Sequence, residues 1–340
     1  MDLKRLICAL GLTVIVSGCS QSSSTAPDSL TASVLPTTLY DYTLHPSMTS
    51  TTGKSENNDT PLPTWTLAEL VDTLQEADVI LIGEWHGHPA THRLQADLLA
   101  ALYAKRPHLT LSMEQFSRDK QYVLNQYLAG EIGEETLIHQ AKAWPNYRSD
   151  YRPLVEFAKQ QQLTVIAANA PRAIVRCVGK FGPDYLHRLP PIERSWVADS
   201  LTLDNDAYQQ TFHERMGGGM HGHHGGNNHF FAAQTTWDDT MAESIVKHLA
   251  QFPHRQVVHT AGRFHVAQGL GLASRIAARA PQLTVVMITP ITDQDSLPAD
   301  APDYPFTVQA LPARYVSEKE MQQSMRKRFT SVSMGTCREE

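Results

Sequence analysis

Four short polar motifs stand out of this 340-residue sequence because each closes an apolar run with side chains that can do chemistry. They are Gly83-Glu84-Trp85-His86, Glu114-Gln115, Asn169-Ala170-Pro171-Arg172 and Gly262-Arg263-Phe264-His265. Glu84 and His86 are two apart, so an extended backbone points both side chains the same way. Two Gly-x-x-His elements plus two glutamates could build a mixed nitrogen and oxygen site for a divalent metal from Glu84, His86, Glu114 and His265. Glu84 and Glu114 could equally serve as general bases on a bound water. The plainer alternative is that these residues satisfy loop backbone and one another. Arg172 and Arg263 carry planar forks suited to carboxylates, though such forks also make structural ion pairs. His88 and His92, four apart across a helix start, could share a face or cap the helix.

A second constellation is the segment Gly217 to Asn228. Together with its flanks it places His213, His221, His223, His224 and His229 within seventeen residues, among glycines and a methionine. Imidazoles at that density can bind haem iron or borderline metals, and such a loop could close over a site or be an insertion with incidental metal affinity.

The elements that must position these residues alternate. Asp78 to Ile82, His108 to Met113, Leu163 to Ala167, Gln256 to Thr260 and Leu283 to Ile288 read as strands. Helices are expected over Pro89 to Lys105, Lys120 to Leu128, Tyr151 to Gln161 and Val266 to Ala280. A further helix carries Trp237, Met241, Ile245 and Leu249 at four-residue spacing, and a helical region spans about Pro191 to Arg215. Such alternation predicts an α/β fold, a mostly parallel sheet flanked by helices, with an inserted helical region and a Gly/His-rich loop. The strand ends then share one edge, where such sheets bind ligands.

The chain begins with Lys4 and Arg5, an apolar run from Leu6 to Val16, and Val16-Ser17-Gly18-Cys19. That run is too short to span a bilayer, which takes about 20 apolar residues, and it reads as a secretory signal ending in a lipobox. The expected organisation is a signal peptide over 1–18, a lipid on Cys19, a flexible Ser/Thr/Pro/Asn-rich tether over 19–61, one domain over 62–315 and a tail over 316–340. Ser20 lacks the aspartate that retains many lipoproteins at the inner membrane, which favours the outer membrane. Cys177 and Cys337 would be the only thiols left to the mature chain; in an oxidising compartment they could pair, and spacing in sequence does not decide it. The formal charge of −6, with scattered basic residues, gives no basis for a nucleic-acid partner.

Taken in order, Leu81-Ile-Gly-Glu-Trp-His86, Ser112-Met-Glu-Gln115, Tyr151-Arg-Pro-Leu154, Ala167-Ala-Asn-Ala-Pro-Arg172, Ala233-Gln-Thr-Thr-Trp-Asp238, Thr240-Met-Ala242 and Gly262-Arg-Phe-His265 resemble the ChaN family of haem-binding uptake lipoproteins. The paired Gly-x-x-His elements place that family in a superfamily with Tiki proteases, TraB-like proteins and erythromycin esterases. The resemblance implies haem binding in iron acquisition at the outer membrane, a homodimer holding haems face to face, a tyrosine on iron and histidine near the propionates. A transporter or receptor would then receive the haem. Tyr147, Tyr151 and Tyr208 are the candidate tyrosines, with Arg172 and Arg263 for propionates and His221, His223 and His224 as further haem contacts. The competing function is a metal-dependent hydrolase. His86→Ala separates the two, since a hydrolase loses activity and metal whereas a peripheral haem site survives.

Overall fold

The stretch Val79–Glu84 shows why the chain folds as it does, because its alternate residues are apolar on both sides. Ile80 and Ile82 enter one core and Val79 and Leu81 another, all fully buried. A strand apolar on both faces needs cover on both, which a parallel sheet between helix layers provides. Each such side chain contributes about 1.5–3 kcal/mol on burial.

The computed structural model describes residues 36–47, 62–204, 206–216, 224–293, 295, 301–331 and 337–338. Its strands are β1 (Tyr42–Leu44), β2 (Val79–Glu84), β3 (Leu109–Ser117), β4 (Thr164–Asn169), β5 (Gln256–Gly262), β6 (Val285–Ile291) and β7 (Tyr304–Val308). They form one sheet in the order β1-β7-β6-β2-β5-β3-β4. β1 runs antiparallel to β7, and the other neighbours are parallel.

One face is covered by the helices Leu67–Leu74, Pro89–Lys105, Gln121–Leu128 and Arg152–Gln160, which contribute Leu70, Leu94, Leu98, Leu124 and Leu154 to the larger core. A capping box between Thr66 and Glu69 starts the first of these. The helices His224–Gln251 and Leu272–Arg279 cover the other face through Met241, Ile245, Leu249, Leu272 and Ile276. Among the described residues, no helix is long and apolar enough to cross a membrane.

The expected α/β architecture holds, and several details differ. Part of the expected tether is structured: Tyr42–Leu44 supplies the edge strand β1 and buries Leu44. Three residues are too few for sequence periodicity to register. β7 also went unexpected, for its Pro305 reads as a break. The helical region expected over Pro191 to Arg215 contains helix only at Pro191–Arg194 and Asp206–Met216. Between them Arg194 donates to the carbonyls of Ala198 (2.7 Å) and Asp199 (2.8 Å), holding the chain out of a helix. The helix expected from Val266 to Ala280 is broken where Gln268 and Gly269 take left-handed φ of 61° and 68°. His224 to Asn228, expected in the Gly/His-rich loop, open the helix His224–Gln251 instead. The tail holds the helix Glu318–Ser331, and Cys337 is disulfide-bonded to Cys177 on the helix Arg172–Phe181. Cys19, His221 and His223 lie outside the described residues.

Candidate functional site

The carboxyl ends of β2, β3, β4 and β5 meet where the strand order turns about β2, the position at which open α/β sheets bind ligands. Glu84 closes β2, and its carboxylate is buried and fully engaged. Oε1 accepts from Tyr151 Oη (2.6 Å), His86 Nδ1 (2.7 Å) and Gln115 Nε2 (3.4 Å), while Oε2 accepts from Gln95 Nε2 (2.6 Å). Burial alone would raise its pKa. The bond from His86 and the charge of His92 outweigh burial and hold it below the ordinary range.

His86 leans over Gly262, where an added Cβ would lie 3.0 Å from Nε2. Its ring meets Trp144 edge-on with centroids 4.9 Å apart, and its side chain is 44% exposed. Burial opposes the imidazolium, but Glu84 and Glu114 favour it more, and the net shift is upward.

His265 repeats the pattern from the other side. Its Nδ1 is 2.7 Å from Oδ1 of the fully buried Asp238, whose Oδ2 accepts from Tyr208 Oη at 2.8 Å. Its Nε2 lies 3.7 Å from Glu114 Oε1. Burial works against protonation here too, and Asp238 and Glu114 overcome it, pushing the pKa up to about 9. Glu114 is held by the Gly262 N–H, which donates to Oε2 at 2.6 Å.

Glu114 and Gln115 are consecutive on a strand, where side chains ordinarily alternate, yet both border the same cleft. The pairing of β3 with β4 shifts register between Met113 and Ser117, an irregularity of the kind that re-aims side chains. The cleft has a volume of about 710 Å³, within the ~300–1,000 Å³ typical of small-molecule sites. His86, Glu114 and His265 form part of its lining, Trp144 and Trp237 supply apolar faces, and Lys120, Lys142 and Arg172 supply positive charge.

The structure therefore brings together Glu84, His86, Glu114 and His265, as the strand-end reading expects, and adds Arg172. Among the described residues, no group of three or more His, Cys, Asp or Glu is arranged to hold a metal ion. The carboxylates are committed elsewhere: Glu84 to four hydrogen-bond donors and Glu114 Oε2 to a backbone N–H. The residues present do not fit the divalent metal expected from the motifs.

The three candidate tyrosines are core residues, and none borders the cleft. Tyr151 is bound to Glu84 and Tyr208 to Asp238, and Tyr147 Oη is buried without a partner. Burial raises the pKa of all three, which disfavours the phenolate that iron would need. Tyr122, two residues past the cleft-lining Lys120, is by contrast 72% exposed. Arg263 stands apart from the cleft, and His88 caps the helix Pro89–Lys105 as its N-terminal spacing allows. His92 approaches Asp150 at 3.3 Å. His224 lies at the start of the helix His224–Gln251.

Sequence reading assigned no role to Asp238, Gln234 or Gln95. Gln234 and Asp238 are four apart on a helix and share a face, a signal that was present but pointed to no partner.

Residues 70–276 match the family described as haem-binding uptake, Tiki superfamily, ChaN. The fold is similar to ChaN of Campylobacter jejuni, solved with cofacially bound haem, with a TM-score of 0.60 and 14% identity over 79% of this chain and 98% of that one. An erythromycin esterase mutant in its open conformation aligns with a TM-score of 0.42 and 12% identity, over 76% of this chain and 82% of the other. No curated protein matches the sequence.

Proposed function

The chain belongs to the haem-binding uptake family, ChaN, of the Tiki superfamily, and from that premise we propose that it binds haem in the cleft at the carboxyl edge of the sheet. The observation that carries this reading is the donor set of the cleft. Haem is a flat apolar ring with two carboxylates and an iron that takes a nitrogen or oxygen donor. Trp144 and Trp237 offer apolar faces, and Arg172 and Lys142 offer cations for the propionates, whereas Lys120 is paired with the cleft-lining Asp119 at 3.0 Å. His86 is half-exposed there, and Glu84 on its Nδ1 leaves Nε2 as the donor atom, an arrangement that fixes the ring and raises its basicity. Arginine is the better propionate partner because its fork can bind bidentately.

Titrating the protein with haemin and following the Soret band tests the reading. A saturable, stoichiometric band is expected, weakened tenfold or more and shifted in His86→Ala, weakened in Arg172→Met, and unchanged in Tyr122→Phe. Absence of a saturable band sinks haem binding. A band indifferent to His86, or lost on deleting His221 to His229, moves the site out of the cleft.

The wider role follows from the same premise: capture or transfer of haem in iron acquisition, by a homodimer anchored through a lipid on Cys19 at the outer membrane, with a transporter or receptor downstream. The signal and lipobox pattern supports this placement, and the Cys177–Cys337 disulfide suits an oxidising compartment. Incorporation of labelled palmitate that persists in Cys19→Ala would exclude the anchor.

A second reading rests on the two carboxylate–imidazole pairs. His86 with Glu84, and His265 with Asp238, are each oriented through Nδ1 at 2.7 Å, as acid–base catalysis requires. His265, held protonated, would be the acid of a hydrolase that uses no metal ligand set. A screen of esters and peptides decides it: no turnover above the His265→Ala background removes the reading.

A further inference from the structure

Arg263 is a strand-end residue outside the cleft lining, and its surroundings are unusual for a buried cation. It follows β5 directly, yet it faces the β6 side of that edge: its Nε donates to the Pro290 carbonyl at 2.8 Å, and its guanidinium carbon lies 5.7 Å from the Trp85 ring centre. The residue is 8% exposed. Among the described residues no carboxylate lies within ion-pair distance of it, and its two terminal nitrogens have no protein partner although solvent reaches them. A buried charge is ordinarily paired, because desolvation is costly when nothing answers it.

The neighbouring carboxylates are engaged elsewhere. Asp303 is fully buried, accepting the Gln268 N–H at 3.1 and 3.0 Å and the Thr289 hydroxyl at 3.0 Å. Asp295 accepts the Thr292 N–H and hydroxyl, both at 2.9 Å. Arg215, with its guanidinium 5.5 Å from the Phe264 ring centre, adds a second cation to the electrostatic surroundings of Arg263. Asp295, Asp303 and Arg215 thus surround Arg263 without pairing with it.

We propose that Arg263 and Trp85 form a carboxylate-binding site, separate from the cleft, which takes a monoanionic carboxylate on the free edge of the guanidinium. With Nε occupied by Pro290, the two terminal nitrogens remain as a fork that matches the two oxygens of a carboxylate. The Trp85 face holds the guanidinium plane by cation–π contact and offers an apolar neighbour to an attached ring. This site does not depend on haem occupying the cleft.

The probe is benzoate, measured by calorimetry on the full chain, with inorganic phosphate and haemin as parallel arms. Saturable binding of one benzoate is expected, with phosphate at least tenfold weaker. Arg263→Met should reduce benzoate affinity tenfold or more. Arg263→Lys should do the same while keeping the charge, and it carries the test if the methionine variant fails to fold. No saturable benzoate binding, or an affinity unchanged in the lysine variant, overturns the proposal. The haemin arm checks that the site is separate: unchanged haemin affinity in Arg263→Lys is expected, and lower affinity would make Arg263 a propionate partner of the cleft and overturn the proposal.

Discussion

His86 and His265 close the same Gly-x-x-His motif and carry a carboxylate on the same ring nitrogen, but burial separates their behaviour. His86 is half-exposed, so solvent screens its pairing with Glu84, whereas His265 and Asp238 are paired away from water. Asp238 and Glu114 push His265 to about 9, against an ordinary value of 6.5. A histidine that holds its proton more tightly when folded stabilises fully below its unfolded value, and that contribution fades as pH rises through its folded value. Unfolding free energy should therefore fall between about pH 6.5 and 9, by a few kcal/mol at ~1.4 kcal/mol per pKa unit. Asp238→Asn should lower stability at pH 6.5 by about 3–5 kcal/mol and flatten the slope above it. Denaturant unfolding of both proteins across this range checks it, and parallel slopes would show that the pair does not titrate this way.

Glycines at element ends set how close the site residues come, and two of them differ in what they tolerate. A methyl at Gly262 would crowd the His86 ring, at 3.0 Å from Nε2 and 3.1 Å from Cε1, and make an ordinary contact with His265 Cδ2 at 3.6 Å. A methyl at Gly271 would come 2.4 Å from the backbone oxygen of His265. A ring can swing and a backbone carbonyl in the short helix Arg263–Val266 cannot, so Gly262→Ala should cost about 1–3 kcal/mol and displace His86, while Gly271→Ala should cost more and disturb the whole turn. Thermal unfolding together with the His86 imidazole resonance distinguishes them; equal losses with an unmoved His86 would contradict the geometry. At this scale the sequence was legible where periodicity ran long enough. β2, β3, β5 and the helix Pro89–Lys105 declared themselves by their apolar runs, and the motifs closing those strand runs located Glu84, His86, Glu114 and His265. The register shift in β3 that brings Glu114 and Gln115 to one cleft depends on pairing with β4, which no local pattern encodes. Asp238 was hidden for the same reason, since its partner His265 lies 27 residues away and meets it only through the packing of a helix on the sheet. The tyrosines misled because residue type says nothing of depth: Tyr147, Tyr151 and Tyr208 are polar enough to suggest ligands, and large enough to fill a core.

Across the whole molecule, the disulfide ties the end of the chain to the helix that begins at the cleft. Cys177 lies on Arg172–Phe181, whose first residue lines the cleft, and Cys337 is 160 residues further along. Cys337 packs against the cluster that includes Ile174, Val178 and Tyr185, the Arg338 N–H donates to Tyr185 Oη at 3.3 Å, and the Arg338 side chain reaches Glu193 at 2.5 Å. Among the described residues those contacts are few and partly exposed, so the attachment of Cys337 and Arg338 depends on the covalent bond. In a chain-entropy account a loop this long contributes near the upper end of the usual range, about 2–5 kcal/mol. Reduction, or Cys177→Ser, should therefore lower the midpoint of thermal unfolding by roughly 2–4 °C for each kcal/mol lost, and should open the bond after Arg338 to trypsin before the sheet is cut. The haemin titration should change little in the same sample, because His86 and Trp144 lie in the turns after β2 and before Tyr147, away from the crosslinked helix. An unchanged midpoint on reduction would mean that the bond closes a loop already held by packing, and loss of haemin binding would mean that the helix Arg172–Phe181 shapes the cleft through its crosslinked end.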